Sequence, residues 1–359
     1  MFNWILKKIY TSKIPKGNGR KVFVGMSGGV DSSVSAAILK ERGYDVHGVF
    51  IKVWQPSFLS CTWKEDKRDA MRVCAQLGIP FQMLDLEREY KENVVDYMIS
   101  EYKKGRTPNP DVMCNAYVKF GGFYEFAIQE GAEFVATGHY AQIDKRGLVR
   151  GIDSGKDQSY FVWQIKKEQL NHILFPIGHI PKKHVRKIAQ SFSLYTAGKK
   201  DSQGLCFIGH INLKDFLSEF IEFTPGDVLN TKGNVIGNHY GAIMYTEGQR
   251  EGFNIPEASE PYFVVSKDVE KNIIVVSREK KNLSIDPSNL VLKDVVLRDK
   301  LPDSCLANIR YHGQDLKCKI KSVIENEINC SIDLNDDVIA PGQSVVFYKD
   351  DVCLGGGII

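Results

Sequence analysis

The chain has 359 residues, 43 % of them hydrophobic and 25 % charged, with a formal net charge of +3. That length supports two or three domains with real cores, and the balance is that of an ordinary globular chain. The small net charge excludes a globally basic polyanion binder, so any nucleic-acid contact must come from local patches, and no apolar run is long enough for a membrane span.

Residues 1–20 carry Lys7, Lys8, Lys13, Lys16 and Arg20 and no acid. Such a segment can be an organelle-targeting peptide. With few serines and one arginine, it fits a basic extension of a cytoplasmic chain better. Lys21-Val22-Phe23-Val24-Gly25 then reads as a buried strand, and Ser33 to Gly43 as a helix stopped by Gly43. Between them lies Met26-Ser27-Gly28-Gly29-Val30-Asp31-Ser32. Gly28 and Gly29 let a phosphate approach the backbone, and free N–H groups of the first helical turn can bond its oxygens. Ser27, Ser32 and Ser33 add hydroxyl donors. Asp31 would repel a bare phosphate, which suggests Mg²⁺ between carboxylate and polyphosphate. Gly25-Met26-Ser27-Gly28-Gly29 also fits a hydrolase nucleophile elbow with Ser27, but too few residues precede it to supply the oxyanion strands. A turn without a ligand is the plainest alternative.

Further strands are expected at Val46–Ile51, Phe81–Leu86 and Phe134–Gly138, with helices at Glu65–Leu77, Tyr90–Tyr102 and Val118–Gln129. Repeated β–α units predict a doubly wound parallel α/β sheet with ligands at the strands' carboxyl ends, where the glycine loop and Gly138-His139 both fall. Arg106 to Asn115 reads as a rigid loop, because Pro108 and Pro110 restrict it and keep Asp111 near Cys114. Residues 157–195 read as helical, and Lys182 to Lys187 as the solvated face of a helix. The segment Lys199-Lys200-Asp201-Ser202-Gln203-Gly204-Leu205-Cys206 places a thiol after two lysines, which would favour the thiolate. A small buried residue entering an apolar strand explains Cys206 equally well. Beyond residue 208 the pattern turns to short strands, with hairpin signals near 228–236 and 262–276 and period-two alternation near 316–321. Eight cysteines occur with no Cys-x-x-Cys pair, so zinc-ribbon spacing is absent and reduced thiols are expected. Cys61, Cys74, Cys305, Cys318, Cys330 and Cys353 read mostly as core.

The glycine loop resembles the Ser-Gly-Gly-x-Asp-Ser pyrophosphate loop of ATP pyrophosphatases. From about residue 21 to the end, the chain resembles the bacterial-type tRNA-specific 2-thiouridylases. The stretches that carry the likeness are Gly25 to Ser32, Gly105 to Asp111, Met113-Cys114-Asn115, Ala136-Thr137-Gly138-His139-Tyr140 and Lys156 to Phe161. Asp201 to Gly209, Gly248-Gln249-Arg250 and Pro341 to Tyr348 complete the set. The resemblance implies an α/β ATP-binding domain at 21–207, a β-rich central domain at 208–283 and a C-terminal β-barrel at 284–359. It implies ATP and Mg²⁺ as cofactors. ATP would be held by Gly25, Met26, Ser27, Gly28, Gly29, Val30, Asp31 and Ser32, with Ile51 and Gly138 at the adenosine and Asp31 toward the metal. Cys206 would receive a persulfide from a sulfur-carrier protein, and Cys114 would resolve it through a Cys114–Cys206 disulfide. Asn109, Pro110 and Asp111 would meet the target base, with Asp111 assisting proton transfer. His139, Lys156, Asp157, Gln158, Arg310, Tyr311 and Gln343 would lie on tRNA. The expected activity is ATP-dependent 2-thiolation of the wobble uridine. An amide-forming ATP pyrophosphatase, a serine hydrolase using Ser27 and a tRNA-binding protein without catalysis are the alternatives. Ala116, where the family often has lysine, the short segment 53–63 and the basic extension depart from the pattern.

Overall fold

The computed structural model describes residues 2–58, 63–201, 206–207, 212–256, 260–280, 285–335 and 337–359. The chain divides into two compact units. The first holds residues 1–94, 111–210 and 351–353, and the second holds 95–110, 211–350 and 354–359.

The first unit is built on a five-stranded parallel sheet. Strands β1 (Lys21–Gly25), β2 (Asp45–Lys52), β3 (Phe81–Asp85) and β4 (Phe134–Ala136) run in the order β3-β2-β1-β4, with Ile173–Leu174 added beyond β4. β1 is central, flanked by β2 and β4, and Val22, Phe23 and Val24 are fully buried. This explains its unbroken apolar run, since a parallel strand covered on both faces has no polar side. The basic N-terminal segment forms helix α1 (Phe2–Ser12). Helix α2 (Val30–Glu41) follows the glycine loop and is buried almost throughout. It stops where Gly43 takes a φ of +79°, a conformation that suits glycine. Helix α3 (Trp63–Leu77) buries only Asp69, Ala70, Val73 and Cys74.

Two local expectations are corrected. Residues 157–195 are not one helical stretch: 3₁₀ turns at Ser159–Val162 and Lys167–His172 precede the strand Ile173–Leu174, and only Lys182–Ser191 is α-helical. Pro176 and Pro181 break the helical ladder. Gly178 passes so close to the Ala141 carbonyl that a Cβ there would overlap it. Nor does the loop after Arg106 reach Cys114. A helix begins at Pro110, continues as a widened π turn over Cys114–Gly122, and ends as Phe123–Gln129. Proline suits a helix's first position, because its missing N–H would have no partner there.

The second unit carries two β structures. A five-stranded sheet joins Phe253–Asn254, Val235–His239, Gly226–Asn230, Ile273–Ser277 and Phe263–Asp268, around Val228, Tyr245, Val264, Ile274 and Val276. The second is a barrel of strands Leu290–Leu297, Glu327–Ile332, Leu316–Ile324, Ser304–Asn308 and Ser344–Lys349. It closes where Lys293 pairs with Ile358 and Val296 with Gly356. The segment before Pro110 belongs to this unit: the Thr107 N–H donates to the Pro341 carbonyl at 2.7 Å, and Arg106 Nη2 to the Ile359 carbonyl at 2.8 Å.

Candidate active site

Two sites form in the first unit. The glycine loop turns at Gly28, whose φ is +71° and whose missing Cβ would come within 2.4 Å of the Asp66 carbonyl oxygen. Only glycine fits there. Gly29 is the extended N-cap of α2. The Ser27 N–H donates to Ser32 Oγ at 3.2 Å, and the two hydroxyls lie 3.2 Å apart. Ser33 is no ligand donor, contrary to expectation: its hydroxyl is buried and donates to the Gly29 carbonyl at 2.7 Å. Gly138, just past β4, closes on the same turn, since a Cβ on it would meet the Ser32 nitrogen at 2.8 Å. Ile51 is buried near the carboxyl end of β2.

Asp31 is heavily engaged. Lys182 Nζ lies 2.8 Å and 2.9 Å from its two oxygens, and the Tyr140 hydroxyl donates to it at 2.7 Å. Lys182 also pairs with Asp201 at 3.0 Å, which Arg186 approaches at 2.5 Å. Burial alone would raise the Asp201 pKa, but Lys182 and Arg186 hold it below the usual range. The run from Lys182 to Lys187 is therefore not simply a solvated face. Its first lysine reaches 151 positions back to the glycine loop.

The second site joins Cys114 and Cys206. Their sulfurs are 3.3 Å apart across 92 positions, not joined in a disulfide, with Cys114 donating. The Cys206 N–H donates to Asp111 Oδ1 at 3.1 Å, and the Tyr90 hydroxyl donates to the Cys206 carbonyl at 2.7 Å. Gln55 Nε2 donates to the Phe207 carbonyl at 2.9 Å. These bonds anchor the backbone of Cys206 and Phe207. The Cys114 proton, pointed at Cys206, and the nearby Lys119 lower the Cys206 pKa, whereas burial pushes Cys114 well up. Burial also raises Asp111.

Lys199, one of the two lysines expected to favour the thiolate, is engaged elsewhere. Lys199 turns to Asp66 and Asp69 at 2.8 Å and 2.7 Å. Lys119, which sequence reasoning missed, stands there instead. It follows Cys114 by five residues, and a π turn, with its i→i+5 repeat, returns that spacing to one side of the helix.

Other expected residues divide by exposure. Lys156 is exposed. Asp157 caps the turn inward, accepting from the N–H groups of Gly151 and Ser159 at 2.8 Å and 3.0 Å. Gln158 Oε1 accepts from the Tyr140 N–H at 3.0 Å. His139 is buried, with Nδ1 2.7 Å from Thr137 Oγ1. Asn109, Pro110, Arg310, Tyr311 and Gln343 belong to the second unit. There Arg310 is exposed and pairs with the buried Asp337 at 2.8 Å. Tyr311 stacks edge-on against His312, and the Gln343 N–H donates to the Ala340 carbonyl. Cys61, residues 202–205 and Gly209 lie outside the described residues.

Three family models match in sequence: a tRNA methyl transferase HUP domain over residues 20–210, a tRNA methyl transferase PRC-barrel domain over 214–278, and an aminomethyltransferase beta-barrel domain over 284–359. The tRNA-specific 2-thiouridylase MnmA of Oceanobacillus iheyensis is 46 % identical over 350 residues, covering 94 % of each chain. The chain belongs to the tRNA-specific 2-thiouridylase family. The Bacillus subtilis 2-thiouridylase is likewise 46 % identical, with 94 % of each chain covered. That of Alkaliphilus oremlandii is 46 % identical over 97 % of this chain and 98 % of its own. A 2-thiouridylase of this length thus combines the parallel α/β domain, a PRC-barrel domain and a terminal β-barrel. No helix among the described residues is long and apolar enough to cross a membrane.

Proposed function

We propose that this chain uses ATP to activate O2 of the wobble uridine in a tRNA anticodon and replaces that oxygen with sulfur carried on Cys206. The 3.3 Å approach of Cys114 and Cys206 beside Asp111, in the unit that bears the glycine loop, carries the reading. Residues Gly25–Ser32, with Ile51 and Gly138, bind ATP, and the N–H groups of the first turn of a buried helix meet the phosphates. Attack of O2 on the α-phosphorus expels pyrophosphate and makes the oxygen part of a leaving group. The terminal sulfur of the Cys206 persulfide attacks C2. Cys114 then attacks Cys206 Sγ, the persulfide S–S bond breaks toward the base, and AMP departs with the C2–O bonding pair. The products are 2-thiouridine, AMP and a Cys114–Cys206 disulfide, which an external thiol reduces. Asp111 moves the proton at the base, and its raised pKa brings it closer to the range where it can hold and release one.

Mg²⁺, when bound, neutralises phosphate charge. One or two carboxylates with phosphate oxygens suffice for such an ion. Asp31 fits this role, because Lys182 can remain paired with Asp201 when Asp31 turns to the metal. Asn109 and Pro110 join Asp111 at the target base. Lys156 and Arg310, both exposed, meet tRNA phosphates, and Gln158, Tyr311 and Gln343 are further tRNA contacts. His139 and Asp157 act inward, shaping the backbone that presents these groups. A sulfur-carrier protein in the cytoplasm delivers the persulfide. Ser27 makes a poor hydrolase nucleophile, since its hydroxyl bonds to Ser32 rather than to a histidine among the described residues.

The test is incubation with MgATP, an unmodified tRNA and a persulfide donor, followed by mass analysis of nucleosides and assay of pyrophosphate. Both 2-thiouridine and pyrophosphate should appear only with tRNA present. Pyrophosphate formed with ammonia and an amide product, or ester hydrolysis lost on Ser27→Ala, would replace this reading.

A further inference from the structure

Two adjacent thiols pose a question of selection: which one takes up sulfur. Cys114 and Cys206 both lie near Asp111 and Tyr90, so the carboxylate and phenol do not by themselves distinguish them. Lys119 leans toward one of them: its Nζ lies 5.5 Å from the centre of the ring of Phe207, the residue after Cys206, and its charge favours the Cys206 anion. On its other side Lys119 Nζ is 3.4 Å from His139 Nε2. An ammonium has only donors, so Nε2 must accept. The remaining proton then sits on Nδ1 and goes to Thr137 Oγ1, 2.7 Å away. Burial and the Lys119 charge keep this imidazole neutral, its pKa well below the ordinary value.

We propose that Lys119, oriented by neutral His139, is the positioning residue that makes Cys206 the loading thiolate and leaves Cys114 the protonated partner. The proposal rests on the reading that Cys206 carries the persulfide, and adds the device that selects it. Burial would drive Lys119 toward the neutral amine, and the two sulfurs and Asp111 outweigh that. With Lys119 charged, the one proton shared by the sulfur pair stays on Cys114, donated toward Cys206. In loading, Cys206 S⁻ attacks the outer sulfur of a donor R–S–SH. The new S–S bond forms at Cys206, the donor's S–S bond breaks, and R–S⁻ leaves with the electron pair. The anionic nucleophile is what this step requires.

The experiment is the pH dependence of iodoacetamide alkylation, with each cysteine located by peptide mass, in the full chain without tRNA or sulfur donor. In the native chain Cys206 should react with an inflection below that of a free thiol, and Cys114 slowly. Lys119→Met keeps the stem without the charge. It should move the Cys206 inflection up by about one pH unit, which cuts its rate near neutrality about tenfold. Lys119→Arg should restore most of the rate, and His139→Leu should give a smaller shift the same way. MgATP affinity reports whether each variant is folded. An unchanged Cys206 inflection in folded Lys119→Met overturns the proposal; if that variant does not fold, an unchanged inflection in His139→Leu does so. Because this readout needs no tRNA, a Lys119-dependent thiolate in a chain that fails to thiolate would overturn the proposed function and leave this inference standing.

Discussion

Cys114 and Cys206 meet beside Lys119, Asp111 and the buried Tyr90 hydroxyl, whereas Cys305, Cys318 and Cys330 meet among aliphatic side chains of the barrel. In both places folding brings sulfur to sulfur. Cys305 is directly opposite Cys318 in an antiparallel pair, and Cys318 and Cys330 are almost fully buried. The Cys318 proton leans toward its neighbours, and that contact with burial drives its ionisation far out of reach. Among the described residues, burial and the neighbouring thiols are what act on Cys305 and Cys318. At the first site the charge of Lys119 adds to the same kind of contact and favours the anion. The difference teaches that thiol proximity alone does not make a reactive centre. A buried thiolate also needs a fixed positive charge and an anchored backbone.

The contrast is most sharply tested by exchanging sulfur for oxygen. Cys206→Ser and Cys114→Ser should each lower tRNA thiolation by about 10³-fold or more, since a serine alkoxide neither carries nor resolves a persulfide. Cys206→Ser should keep tRNA-dependent pyrophosphate release. Intact-protein mass should show persulfide loading on Cys114→Ser and none on Cys206→Ser. Cys305→Ser should thiolate within about twofold of the native chain. Equal losses at Cys305 and Cys206 would erase the distinction between the two clusters.

Next in size come the glycine-loop variants, which should strike the step the thiol variants spare. Ser27→Ala and Asp31→Asn should each slow pyrophosphate release by roughly ten- to a hundredfold, the scale of one hydrogen bond to a charged group. Persulfide loading on Cys206 should be untouched. Full pyrophosphate release from Ser27→Ala would remove its hydroxyl from the phosphate site.

The barrel cluster should answer through stability instead. Cys318→Ala removes a buried sulfur and should cost about 1–2 kcal/mol through lost packing. Thermal melting and thiolation rate, measured side by side, should show the first lowered and the second unchanged. A rate lowered as much as by Lys119→Met would give the barrel thiols a part in the chemistry.

The smallest expected effect concerns Asp111. Its folded-state pKa is raised by burial, so the stability linked to its protonated form is present below the unfolded value near 3.9 and lost as pH rises through the folded value. Asp111→Asn keeps an oxygen for the Cys206 N–H and has nothing to ionise. It should therefore melt above the native chain at pH 7, with the gap closing below about pH 4. A gap that persists in acid would assign the effect to packing.

Much of this is legible in the sequence, but unevenly. The glycine loop lies within eight consecutive residues, so its strand–turn–helix context and the need for Gly28 are local facts. The parallel sheet showed through unbroken apolar runs such as 22–24, and the second unit's strands through alternation and turn residues. A continuous helix over 157–195 is ruled out by Pro176 and Pro181, which break its hydrogen-bond ladder. Cys114 lies in a helix and not in a loop because Pro110, at a helix's first position, starts one.

The sequence by itself determined the turn that can cradle phosphate, the domain types and the presence of two thiols in polar settings. Only the tertiary structure decided that Lys182 reaches Asp31, that Lys199 turns away to Asp66 and Asp69, and that Lys119, backed by His139, acts on Cys206. The physical reason is range. Backbone geometry and hydrophobic periodicity are set by residues a few positions apart. The charge that ionises a buried sulfur acts through space over a few ångströms, and which residue supplies it depends on where distant segments pack.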